Sequence, residues 1–153
     1  MEIEYMKMLE KNNFLGPVID EPMSISEIEQ LEQLYNNGNP MPKPLRELLF
    51  LAGNSCSAIS MGWPNPFEHQ IQIRQWLSNA SKTISRPFFG FDPMDFNQFS
   101  LVYLDDPRPD PMVYHVIIQN DSNNNEMEID ASGFSLSNYI KHIISYRLKY
   151  GTF

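Results

Sequence analysis

The stretch Ser26–Gly53, SEIEQLEQLYNNGNPMPKPLRELLFLAG, decides how this 153-residue chain is read. It holds two helix-like runs joined by an Asn- and Pro-rich connector. In the first run Ile28, Leu31 and Leu34 recur at helical spacing. Ser26 stands where an N-cap belongs, with Glu29 three residues on, the spacing of a capping box. Glu27 and Glu29 also fall at the positive end of the helix dipole. The run is predicted to end near Tyr35, because Asn36-Asn37-Gly38-Asn39-Pro40 breaks the pattern. Pro42 and Pro44 suit the entry of a second helix, where a missing N–H costs no intrahelical bond. Leu45–Leu51 is apolar apart from Arg46 and Glu47, so this helix should lie deeper than a surface helix. Gly53 is its expected C-cap. No residue type here, at this spacing, is catalytic in kind.

Working outward, Ile3, Met6, Leu9 and Phe14-Leu15 give residues 3–15 the pattern of a weak amphipathic helix, stopped by Gly16-Pro17. Ser57–Met61 alternates and reads as a first strand. Gly62–Pro66 is a loop. Ile73, Trp76, Leu77, Ala80 and Ile84 predict a helix over 70–80, although Gln70–Ile73 alone also fits a strand. The period then changes. Phe88–Phe91, Phe99–Tyr103 and Met112–Ile118 are strand-like, with Leu104–Pro111 as a long hairpin connection and Asn120–Asn125 as a second turn. Glu126–Ile129 reads as a short further strand. Ser135–Tyr150 closes the chain as a helix with Leu136, Tyr139, Ile140, Ile143, Ile144 and Leu148 on one face, capped by Ser135 or Ser137. Helices, then strands, then a helix predict an α+β domain spanning residues 1–153: an antiparallel sheet of about four to six strands packed with the N-terminal helices and a C-terminal helix.

The formal charge is −8, and all 19 acids precede residue 131. Lys141, Arg147 and Lys149 leave the C-terminal segment basic. An acidic body repels phosphate backbones, which excludes nucleic acid as the expected ligand, and steers cationic partners. Cys56 is the only cysteine, so no disulfide forms within the chain and a reducing compartment fits. The charged start lacks the apolar core of a signal peptide. No apolar run reaches the roughly 18 residues of a membrane span. The expectation is a cytoplasmic protein with no membrane contact.

Catalytic motifs are missing. Cys56, His69 and His115 include a nucleophile and bases, but no spacing forces them together. His69, His115 and His142 are too far apart in sequence to form a ligand pair. Asp105, Asp106 and Asp110 resemble a calcium loop only superficially, since the glycine and the closing Glu are missing. Phosphate-binding and nucleophile-elbow glycine patterns are absent. The expectation is therefore no enzyme, no metal and no cofactor. The candidates that remain are for partner binding. Glu126, Glu128 and Asp130 alternate with Met127 and Ile129, so an extended backbone points all three one way. Asp92, Asp95, Asp105, Asp106 and Asp110 flank the Phe99 strand. Trp63, between Gly62 and Pro64, is a candidate aromatic anchor.

The landmarks together resemble the SUKH superfamily, which holds the yeast Smi and Knr cell-wall regulators and many bacterial immunity proteins. The resembling residues are the helix Glu29–Tyr35, Pro42 and Pro44, Leu45–Leu51, and the turn at Gly53-Asn54. They continue with strands at Phe99–Leu104 and Val113-Tyr114, and with Ser132-Gly133-Phe134-Ser135-Leu136 and Tyr139-Ile140 at the terminal helix. The resemblance covers about residues 24–145. The chain departs from the family in reading Gly53-Asn54-Ser55 where Asn-Gly-Gly is common. The resemblance implies a non-enzymatic binding protein that neutralises a cognate, basic toxin domain, of nuclease or deaminase type, by blocking its active site. An intracellular adaptor of the same fold, binding a peptide or protein, is the alternative.

Overall fold

The computed structural model describes residues 1–151, with Asn120 described by its backbone alone; Thr152 and Phe153 of the predicted domain lie outside the described residues. Among the described residues five helices and one sheet follow in order: α1 Lys7–Lys11, α2 Ile25–Tyr35, α3 Lys43–Ala52, α4 Pro66–Asn79, β1 Phe88–Asp95, β2 Gln98–Tyr103, β3 Met112–Asn120, β4 Asn125–Ser135 and α5 Leu136–Tyr150. The fold is α+β. The four strands form an antiparallel meander in the order β1-β2-β3-β4. None of the helices is long and apolar enough to cross a membrane.

Alternation along the strands splits the core in two. Phe89, Phe91, Val102 and Val113 face the helices α1, α2, α3 and α5, where they pack with Leu9, Ile28, Leu31, Leu45, Leu48, Leu49, Leu136, Ile140 and Ile144. Phe88, Phe99, Leu101, Tyr103, Val116 and Ile118 face the other way, onto Ile73, Leu77 and Ala80 of α4 and its C-terminal end. The register enforces this division: Phe89 pairs with Val102 and Val102 with Val113, while Leu101 pairs with Tyr114 and Phe99 with Val116.

Several elements differ from expectation. The N-cap of α2 is Ser24, not Ser26: its side chain accepts the Glu27 N–H while Glu27 accepts the Ser24 N–H. The frame starting at Ser24 places Met23 just before the cap and Ile28 at the fourth helical position, both within one core cluster, as a hydrophobic staple does. The expected helix over residues 3–15 is cut to Lys7–Lys11. Glu47, fully buried on α3, accepts the backbone N–H groups of Glu4, Tyr5 and Met6 at 2.9, 2.7 and 2.9 Å, which holds that segment outside helical geometry. Ser57–Met61 is not a strand. Ser57, Ala58 and Ile59 are buried in succession, and the loop is held by Asp20 accepting the Ser57 N–H and by Arg147 donating to the Ser57 carbonyl. Gly53 is the C-cap of α3, but with φ of −69°. Its missing side chain matters for space: a Cβ there would come within 2.8 Å of Met23 Cβ and 2.5 Å of the Leu49 carbonyl. β4 extends well beyond Ile129, and Leu34 and Leu148 face solvent rather than the core.

Candidate functional site

A meander places the β1–β2 and β3–β4 turns at one end of the sheet and the β2–β3 turn at the other. The nine sequence candidates therefore divide. Asp105, Asp106 and Asp110 lie at the β2–β3 end, and each has an internal task. Asp105 pairs with Arg86, whose guanidinium also sits 3.9 Å over the Tyr103 ring. Asp106, with its side chain only 2% exposed, accepts from Arg108 and from the backbone N–H of Met112. Burial pushes its carboxyl up, but the bonds from Arg108 and Met112 outweigh that and hold it below the usual range. Asp110 accepts the Ser137 N–H at 3.1 Å and the Ser137 hydroxyl at 2.5 Å, tying this turn to the start of α5.

Asp92 is also engaged. It sits in a bulge where Asp92, Pro93 and Met94 of β1 oppose Phe99 alone, between the pairs Phe91–Ser100 and Asp95–Gln98. Its φ of 51° is left-handed, a conformation Asp tolerates better than most residues. Its N–H donates to the Ser60 carbonyl at 2.6 Å and its carboxylate accepts the Tyr139 hydroxyl at 3.1 Å. Burial, and then the neighbouring Asp92 charge, push the Tyr139 phenol up to about 12.

Glu126, Glu128 and Asp130 behave differently. They stand opposite Gln119, Ile117 and His115 of β3. All three are exposed, and their carboxylates have no hydrogen-bond or ion-pair partner among the described residues. Met127 and Ile129, between them, turn half-buried toward the α4 side. The acids therefore share the sheet face that α5 occupies further along, on the part it leaves uncovered. β4 is an edge strand of 11 residues. No backbone bond from elsewhere in the described chain reaches the outer side of residues 125–131.

Trp63 is 82% exposed, beside Phe96 at 83% and Met94 at 76%. The bulge at Asp92 throws Met94 and Phe96 outward at the tip of the β1–β2 hairpin. Together with Trp76 of α4, Pro93, Asp95, Ser60, Gln72 and His69, these residues line a cavity of about 340 Å³. Asp95 is exposed and unpartnered at its mouth. Sequence reasoning found Trp63 but missed His69, Trp76 and Met94 as wall residues. The available signal was Met94 and Phe96 in an otherwise polar turn, Asp95-Phe96-Asn97.

The remaining chemistry is quiet. Cys56 is buried, and burial pushes its thiol up to about 11, the reverse of what a nucleophile needs. Ser100 Oγ and His115 Nδ1 are 3.0 Å apart, but Ser100 is only 3% exposed. No group of three or more His, Cys, Asp or Glu able to hold a metal lies among the described residues. Compared with protein-family models, curated proteins and solved structures, the chain matches none.

Proposed function

We propose that this protein is a non-enzymatic binder of a basic protein domain, acting as an immunity protein of the SUKH type that covers a toxin's active site. The observation that carries the reading is the row of unpartnered carboxylates, Glu126, Glu128 and Asp130, on an open edge strand of a chain with charge −8. Unpaired charges displayed on a strand steer an oppositely charged surface and accelerate encounter. A nuclease or deaminase domain that handles nucleic acid supplies the matching positive surface. The burial of Cys56, which disfavours its thiolate, and the burial of Ser100 support binding over catalysis.

Co-expression with a toxin-like domain encoded beside this gene tests the proposal: the expected result is a tight co-purifying complex and rescued growth. Failure to obtain either a complex or rescue would overturn it. Within such a complex, changing Glu126, Glu128 and Asp130 to Lys should slow association by about tenfold or more at low salt and flatten its salt dependence. Unchanged association kinetics would remove the strip from the interface.

The open edge also favours a second reading. An extended peptide can add as a fifth strand along β4, the mode of an adaptor, with affinity from main-chain bonds rather than charge. Peptide binding insensitive to salt would favour that reading.

A further inference from the structure

The cavity beside Trp63 has an unusual composition. Three aromatic side chains, Trp63, Trp76 and Phe96, form its walls, with Trp76 and Phe96 edge-to-face at 6.5 Å and 88°. Among the described residues that line it, the one ionic group is the carboxylate of Asp95, with no Lys or Arg. A neighbouring depression of about 330 Å³ that shares Trp63 also holds a single charged side chain among the described residues, Glu68. At the base sits His69, 1% exposed and edge-on to Trp76 at 6.0 Å, with neither ring nitrogen hydrogen bonded. The Gln72 side chain lies near the ring without meeting the geometry of a hydrogen bond. Gly62, at φ of +95°, lies so close to the ring that any Cβ there would run into it.

Such a site is costly to leave in a purely structural role. Trp63 and Phe96 have most of their surface in water, and an unpartnered buried imidazole forfeits its hydrogen bonds. Aromatic faces attract cations through their quadrupoles, and a carboxylate at the rim adds charge complementarity. The volume lies near the lower limit of ligand cavities, which fits one long side chain rather than a larger molecule.

We propose that this cavity receives one arginine side chain of the partner, its guanidinium resting on the exposed aromatic faces of Trp63 and Phe96 and paired with the carboxylate of Asp95. The identity of the occupant rests on the basic partner proposed above. The site lies at the same end of the sheet as Glu126 and Glu128.

The chain's two tryptophans, Trp63 and Trp76, both line the cavity, so their two indole N–H resonances report on it directly. Titration of the full protein with N-acetyl-arginine amide should move both in a saturable way, with a Kd on the order of 1–10 mM for so small a probe. The citrulline analogue, equal in shape but uncharged, should bind about tenfold more weakly or worse. Trp63→Ala, followed through the Trp76 resonance, should weaken arginine about fivefold or more, and Asp95→Asn about threefold. Both residues are exposed, so the variants are expected to fold, with circular dichroism as the check. Absence of saturable shifts, equal binding of citrulline, or unaltered binding in both variants overturns the proposal. The two readings fail separately. If arginine moves the indoles but no basic domain is captured, the function above falls and the pocket stands. If a basic domain is captured while arginine leaves the indoles unmoved, the pocket falls and the function stands.

Discussion

The sheet has two edges, and the chain treats them in opposite ways. At β1 the outward backbone groups are met by side chains. Gln70 donates to the Gly90 carbonyl at 2.6 Å and accepts the Gly90 N–H at 3.0 Å. Arg74 donates to the Phe88 carbonyl at 3.0 Å, with its guanidinium 4.1 Å over Tyr35 and 4.2 Å over Phe88. The backbone carbonyl of Ser60 accepts the Asp92 N–H. α4 can lie this close because position 90 is glycine; a Cβ there would run into Ile73 Cδ1. At β4 no other segment of the described residues bonds to the outer side of residues 125–131, and charge lines that stretch. Proteins that leave an edge open commonly place charged side chains there to discourage self-pairing. The difference teaches that covered polar backbone serves stability, whereas an uncovered edge with unpaired acids is a surface kept available.

Removing the covering side chain tests this most severely. Gln70→Ala leaves a buried N–H and carbonyl at Gly90 without partners, and should lower unfolding free energy by about 3 kcal/mol in urea titrations. A loss under about 1 kcal/mol would mean that water or a shifted strand replaces Gln70, breaking the contrast between the edges. Arg74→Met keeps the aliphatic packing but loses the Phe88 carbonyl bond and both ring contacts, for an expected loss of about 1–2 kcal/mol. His69, next to Gln70 on α4, gives a pH-dependent version. Burial lowers its pKa below 6.5 in the folded chain. The unfolded chain therefore binds a proton first as pH falls, so this contribution to stability is present above pH 6.5 and lost progressively below it. Thermal melts should show that decline in the native protein and a flatter profile in His69→Gln; identical profiles would show that His69 does not titrate across the transition. The smallest effect on stability is expected at the open edge. Replacing Glu126, Glu128 and Asp130 together by Thr should change unfolding free energy by less than about 0.5 kcal/mol. It should nonetheless produce self-association in sedimentation, and a strictly monomeric variant would show that the acids are not what keeps this edge unpaired.

Long periodic elements were legible in the sequence. α3, β3 and α5 lie within a few residues of their expected bounds, because one repeating face decides each of them. The errors have local causes. Ser24-x-x-Glu27 and Ser26-x-x-Glu29 are overlapping frames of equal merit, and only packing at Met23 and Ile28 separates them. The alternation in Ser57–Met61 mimics a strand, but the segment is a loop pressed into the core, where serine is buried as readily as isoleucine. Glu47 looks like an ordinary charged interruption in a leucine run, yet three backbone amides converge on it from residues 4–6, a contact spanning more than 40 positions of sequence. The site was legible in the same partial way. The alternation of Glu126, Glu128 and Asp130 told their common direction, and they stand free. Nothing in a string of aspartates tells which of them will find an arginine or a helix start, and Asp105, Asp106 and Asp110 did.

Gly90 also has a consequence for how the chain opens. Its amide proton is held by a side chain of α4, not by the neighbouring strand. Hydrogen exchange at this amide therefore reports the undocking of one helix, with the rest of the sheet still paired, whereas neighbours bonded to β2 await separation of the strands. A single backbone resonance thus measures how often α4 lifts away.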